Sequence, residues 1–251
     1  MIHFVGAGCG APDLITVRGK KHIENADVII YAGSLVNKEL LQYAKKDCAV
    51  YDSAKMTLEE IIDVIAAAER KGLTTVRLHT GDPSLYGAVG EQMRELDKLG
   101  IEYDITPGVS AFSGAAASLK AEYTLPDVSQ TVIITRAAGR TGVPGSEDLR
   151  SLAAHRATMV LYLSAGLLDK VEGDLIAGGY DADTPAAIVY KASWPDEKVC
   201  RCTVGTLSQT AAANGITKTA LVTIGKFLEG SFARSCLYDP GFSTEFREAS
   251  K

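Results

Sequence analysis

Apolar residues recur along this chain in two rhythms. Residues 2–5, 27–31, 74–79 and 102–105 are short apolar or alternating runs and predict strands. Residues 58–71 place Leu58, Ile61, Ile62, Ile65 and Ala68 at helical spacing, and Gly72 stops the pattern. Residues 16–25 and 87–99 also read as helices, the second stopped by Gly100. Strand and helix in alternation predict a mostly parallel sheet covered by helices. The small-residue stretch 111–119 predicts a buried helix.

Residues 122–127 lose the periodicity and carry Pro126, so a domain boundary is placed there, giving domains 1–122 and 123–251. The second half starts again with strands at 130–135 and 158–163, and a helix from Ala165 stopped by Gly178 and Gly179. Further strands are predicted at 186–190, 198–203 and 220–224. The gap between the first two of these is too short for a helical crossover, which predicts an antiparallel hairpin and a mixed sheet. Residues 136–146 form a polar loop, and a polar tail follows Ser243.

Composition narrows the functional classes. The 251 residues are 46% hydrophobic and 23% charged, as expected for a folded globular chain with a sizeable core. The net charge of −5 argues against a general nucleic-acid binder, whose affinity comes from clustered cations. No apolar run approaches the ~20 residues needed to span a bilayer, so no membrane partner is expected. Five scattered cysteines and no basic leader predict a cytoplasmic protein without a disulfide framework. Cys200 and Cys202 stand two apart in a strand-like segment, but no further ligands at suitable spacing lie nearby, so no metal is expected.

Three loops carry unusual sequences, each following a predicted strand, where open α/β sheets bind ligands. The first, Gly6-Ala7-Gly8-Cys9-Gly10-Ala11, matches a dinucleotide fingerprint taken alone. However, Asp13 follows closely and the second strand ends without an acid to hold a ribose. The second is Gly81-Asp82-Pro83-Ser84-Leu85-Tyr86-Gly87, and the third Pro107-Gly108-Val109-Ser110-Ala111-Phe112. Asp82 is a carboxylate suited to ribose hydroxyls or an amino group, and Ser110 is a natural helix cap. All three loops also suit plain tight turns.

Residues 6–16, 81–87 and 107–112, in this order, resemble the tetrapyrrole methylase family, which transfers methyl groups from S-adenosylmethionine. The resemblance runs from Met1 to about Leu228. Residues 31–36, 77–83 and 192–197 are similar to the branch that methylates carbon 11 of precorrin-4, or its cobalt form, in cobalamin synthesis. The first loop departs from the usual pattern, with Cys9 in place of proline and Ala11 in place of aspartate.

The resemblance implies an α/β, two-domain tetrapyrrole methylase (class III methyltransferase) fold. In it, an N-terminal mostly parallel sheet and a C-terminal mixed sheet flank an active-site cleft. It places the methyl donor, S-adenosylmethionine, against Pro12, Gly81, Asp82, Leu85, Tyr86, Ser110, Ala111, Tyr162, Leu163, Ala187, Ile188, Thr219 and Ala220. Candidates for proton handling or orientation are Asp82, Tyr86 and His79. The tetrapyrrole substrate is expected against Gly8 and Gly10. Its carboxylate arms are expected to meet Arg136 and Arg140, because arginine binds carboxylates in two-pronged fashion. The family also implies a homodimer. Methylation of another tetrapyrrole or a macromolecule, a non-enzymatic tetrapyrrole carrier and a nucleotide-dependent dehydrogenase are the competing readings.

Overall fold

Five short strands of the first half pair side by side; the three central ones are apolar on both faces, as a sheet covered on both sides requires, and the two edge strands are more exposed. The computed structural model describes residues 1–230 and 232–250. The strands are β1 (Ile2–Gly6), β2 (Val28–Tyr31), β3 (Ala49–Asp52), β4 (Thr75–His79) and β5 (Tyr103–Thr106). Their order is β3-β2-β4-β1-β5, and every neighbouring pair is parallel. The helices are α1 (Val17–Asn25), α2 (Leu58–Glu69), α3 (Val89–Leu99) and α4 (Ala111–Leu119).

Local chemistry sets the helix ends. Thr16 caps α1 by accepting from the Gly19 N–H at 3.0 Å. Thr57 and Glu60 form a reciprocal capping box on α2. α3 stops at Gly100, in the left-handed region at φ 66°. It starts two residues later than the sequence pattern implies, because Tyr86 and Ala88 hold left-handed φ values of 54° and 50°.

The two faces of the sheet bury different sets. Ile2, Phe4, Val28 and Ile30 pack with Ile61, Ile62, Ile65, Val89 and Leu96. Val5, Ile29, Val76 and Leu78 pack with Ile23, Val36 and Leu40. Each large aliphatic side chain so buried contributes roughly 1.5–3 kcal/mol. Two expectations need correction. β3 was not anticipated, since Ala49, Val50 and Tyr51 are exposed on an edge strand and leave no apolar signature. α4 is only half buried: Gly114, Ala115 and Leu119 are covered, while Ser113 and Ala117 face solvent.

The second half contains β6 (Val132–Arg136), α5 (Leu149–Ala153), β7 (Thr158–Tyr162), α6 (Leu168–Gly178), β8 (Pro185–Tyr190), β9 (Lys198–Thr203), α7 (Leu207–Ala213) and β10 (Ala220–Ile224). The sheet runs β6-β7-β10-β8-β9. Only β6 and β7 are parallel, so the sheet is mixed, and β8 with β9 forms the expected hairpin. Met159, Leu161, Ile188, Val222 and Ile224 form its core with Val171, Leu175 and Leu207.

The chain divides into two units. The first is residues 1–115 with Lys191–Glu197, and the second is residues 116–190 with the chain from Lys198 onward. Among the described residues, no helix is long and apolar enough to cross a membrane.

A polar set lies inside the first sheet. Arg77 is 4% exposed and donates to Gln92 Oε1, the Ile30 carbonyl and Ser53 Oγ at 2.9–3.0 Å. Burial pushes its pKa down to about 10. His79 is 3% exposed, stacks against Phe4, and leaves Nε2 without a partner. Burial, aided by the Arg77 charge, pushes its pKa down to about 3. The unfolded chain therefore takes up this proton first as pH falls. Stability contributed by the neutral imidazole is complete above pH 6.5 and is lost progressively towards about pH 3. Urea unfolding across that window should show a flatter loss for His79→Leu than for the native chain. The difference in slope should reach at most about 1.4 kcal/mol per pH unit. Parallel profiles would assign the acid sensitivity to other groups.

Candidate functional site

The three unusual loops follow β1, β4 and β5, which are neighbours in the parallel sheet, so they emerge together at its carboxyl end. They touch through backbone. A Cβ on Gly6 would lie 2.5 Å from the Gly108 nitrogen and 2.6 Å from the Gly81 oxygen. A Cβ on Gly108 would lie 2.1 Å from the same Gly81 oxygen. No side chain fits either position. Gly8 and Gly81 exchange backbone hydrogen bonds of 3.3 and 2.9 Å, and both hold positive φ, at 81° and 61°. The Ala7 N–H donates to the His79 carbonyl at 2.7 Å.

Asp82 fastens this arrangement. Oδ2 accepts from the Gly108 N–H at 2.8 Å, and Oδ1 accepts from the Ser84 N–H at 2.9 Å and from the Ser84 hydroxyl. Burial acts to raise its pKa, but these donors outweigh it and hold the carboxyl below its ordinary value. The carboxylate is therefore charged at neutral pH and already engaged by its own loops. Around it, Gly81 is buried, Leu85 half-buried and Tyr86 45% exposed. Ser110 is buried at the start of α4, where its carbonyl accepts from Ser113 and Gly114 N–H groups, and Ala111 follows half-buried. Pro12 opens a short 3-10 turn, Pro12–Leu14, that closes the first loop. A hollow of about 400 Å³ lies beside Pro83, Tyr86, Val89, Met93 and Ile105.

His79 sits directly below these loops, but its side chain is sealed in the core. With a pKa near 3 it is neutral at neutral pH, and its burial fits a structural part better than the proton handling expected of it.

Residues 192–197 carried part of the family resemblance, but their packing on the first loop, and the part of Asn37, escaped sequence reasoning. The Lys191–Glu197 segment packs on the first loop within the same unit. Ser193 Oγ accepts from the Ala11 N–H at 3.0 Å and lies 3.3 Å from Cys9 Sγ. Trp194 covers Gly10 so closely that a Cβ there would fall 2.2 Å from its Cδ1. Asn37, only 8% exposed, donates to the Gly10 carbonyl at 3.0 Å. Gly8 and Gly10 are buried, so both serve the packing of this loop. The motif at 192–197 marks the segment but not its neighbour, and a lone asparagine such as Asn37 carries no positional signal in sequence.

The remaining candidates belong to the second unit. Tyr162 ends β7 and Leu163 follows it at φ 52°, 65% exposed. Thr219, at φ 56°, precedes β10, which Ala220 opens; β7 and β10 are antiparallel, so these four residues share one end of the sheet. Ala187 and Ile188 lie deeper in β8 with no exposure, and Ile188 belongs to the core cluster. Arg136 donates to the Thr141 and Gly142 carbonyls and so shapes the loop after β6. Arg140 is exposed on that loop.

The three loops of the first unit contain no lysine or arginine, and their formal charges are those of Asp13 and Asp82. Their donors and acceptors are backbone groups, hydroxyls and one fixed carboxylate. Such a surface suits a small cationic ligand with hydroxyl groups. Gly108→Ala should cost at least about 1–3 kcal/mol through overpacking. Gly90→Ala, on α3 with no heavy atom within 4 Å of a new Cβ, should gain up to about 1 kcal/mol. Chemical denaturation of the two variants checks this pair; equal stabilities would refute the close packing of the loops.

Known proteins share this arrangement. Residues 1–208 match the profile of Tetrapyrrole (Corrin/Porphyrin) Methylases. The chain is 55% identical over 248 residues to a cobalt-precorrin-4 C(11)-methyltransferase of Methanocaldococcus jannaschii, covering 98% of this chain and 96% of that one. The X-ray structure of a cobalt precorrin-4 methyltransferase superposes with a TM-score of 0.89 at 47% identity, covering 90% of this chain and 95% of the other. A uroporphyrin-III C-methyl transferase from Thermus thermophilus, complexed with S-adenyl homocysteine, superposes with a TM-score of 0.77 at 25% identity, covering 92% and 99%. A chain that matches this profile over most of its length, and shares more than half its residues with a named member, belongs to the tetrapyrrole (corrin/porphyrin) methylases.

Proposed function

We propose that this chain is an S-adenosylmethionine-dependent C-methyltransferase that methylates carbon 11 of cobalt-precorrin-4. The observation that carries the reading is the 55% identity, over nearly the full length of both chains, to a relative of that name. The loop chemistry agrees with it. A sulfonium donor is a cation, and the three loops offer carboxylate charge without any competing lysine or arginine.

When bound, S-adenosylmethionine supplies an electrophilic methyl group on a sulfonium whose charge disappears on transfer. The protein's task is then alignment and exclusion of water, which can supply roughly 7–11 kcal/mol of the barrier. We assign Gly81, Asp82, Leu85, Tyr86, Ser110, Ala111 and Pro12 to holding the donor. Asp82 acts through the loop as much as on the ligand, because both its oxygens accept from loop donors. Backbone fixed by glycine contacts loses little freedom on binding and so holds a ligand in one orientation. The acceptor carbon of a reduced tetrapyrrole is electron-rich, so no strong general base is required, in keeping with the neutral, buried His79. Arg140, exposed on its loop, is assigned to a carboxylate arm of the substrate, and Arg136 to ordering that loop.

The purified protein should bind S-adenosylmethionine in calorimetry. Asp82→Ala should weaken that binding about tenfold or more, since the Gly108 N–H loses its acceptor at a cost of roughly 1–3 kcal/mol. Incubation with donor and cobalt-precorrin-4 should add one methyl group by mass spectrometry, and NMR of carbon-labelled product should place it on carbon 11. Metal-free precorrin-4 should react with lower kcat/KM. Donor binding without mass gain would favour a carrier, and no donor binding would overturn the methyltransferase reading.

A further inference from the structure

On the opposite face of the first sheet from Arg77 and His79, two imidazoles and a carboxylate converge. His3 on β1 and Asp104 on β5 are register partners, so their side chains stand on the same face. His3 Nδ1 lies 2.8 Å from Asp104 Oδ1. His22, in the last turn of α1, stacks its ring on that of His3 with centroids 3.9 Å apart and planes 28° apart. We propose that His3, His22 and Asp104 form a binding site for a divalent first-row transition ion, represented by Zn²⁺.

One candidate ligand atom from each residue lies within 4.8 Å of the other two. Zinc–nitrogen and zinc–oxygen bonds of about 2.0–2.2 Å place tetrahedral ligands roughly 3.3–3.6 Å apart. To take the ion, the His3–Asp104 hydrogen bond of 2.8 Å opens and the His22 ring turns out of its stack to aim a nitrogen at the same point. Imidazole with carboxylate is a donor set that takes zinc, nickel or copper, whereas calcium and magnesium prefer oxygen alone. The side chains are within reach of solvent, with His3 at 12% and Asp104 at 44% exposure, which leaves room for a water as fourth ligand.

Arg18, one turn before His22 on α1, opposes a cation, and the Asp104 carboxylate offsets it. The cluster lies in the amino-terminal part of β1, ahead of the glycine loop that Gly6 opens, so donor binding provides an independent check on folding.

Metal-stripped full-length protein should bind one Zn²⁺ in calorimetry, and Mg²⁺ should fail to compete. Co²⁺ should give visible ligand-field absorption without a thiolate charge-transfer band. His22→Ala and Asp104→Asn should each weaken Zn²⁺ binding at least tenfold, while circular dichroism and S-adenosylmethionine binding stay unchanged. His22→Gln serves as a second variant if the alanine perturbs α1. Zinc affinity unchanged in both variants, or a thiolate band with Co²⁺, would place the ion on cysteines such as Cys200 and Cys202 and overturn the proposal. Absence of Zn²⁺ binding would do so as well.

Discussion

The meeting of Gly6, Gly81 and Gly108 is the contact around which the first unit is arranged. Three parallel strands end beside one another, and their backbones approach until no Cβ fits between them. Hydrogen bonds between Gly8 and Gly81, and from Gly108 to Asp82, then fix the three turns as one body. This constraint explains why the motifs are rich in glycine. Their first role is to let main chain lie against main chain, and the surface they offer a ligand follows from that.

Beneath the loops, one face of the otherwise apolar sheet buries a polar set. Arg77 joins β2, the turn after β3, and α3 to the central strand β4, through three neutral acceptors. Its guanidinium has five donors in a planar fork, which no other side chain supplies. Burying that charge is costly, as the lowered pKa records, yet it keeps the proton at neutral pH. The charge in turn helps keep His79 neutral. The floor of the loops is thus a cation with fixed donors and an uncharged ring, set under a rim whose charges are carboxylates.

The sequence made much of this legible, for identifiable reasons. The central strands β1, β2 and β4 announced themselves because both their faces are buried. The hairpin of β8 and β9 followed from the length of its connection. β3 stayed hidden because an exposed edge strand has no pattern to read. The late start of α3 depends on left-handed Tyr86 and Ala88, residue types that give no warning of it. The loop motifs carried the family resemblance, but not the carboxylate bonds of Asp82, which depend on a residue 26 positions away. His79 looked like a strand-end histidine near chemistry, and only three-dimensional burial shows it sealed. Periodicity reports faces, whereas pairings between distant loops require coordinates.

The segment Lys191–Glu197 belongs to the first unit although the chain on either side of it belongs to the second. Its Ser193 hydroxyl bonds a backbone group 182 positions earlier. During synthesis, the first sheet can be complete long before Trp194 leaves the ribosome. Until the later hairpin is made, the glycine loop lacks both the Trp194 cover on Gly10 and the Ser193 acceptor for the Ala11 N–H. Contacts of such long sequence separation close late and slow folding. Maturation of the first loop is thereby tied to translation of the second half, and a prematurely ended chain would carry the motifs without their cover.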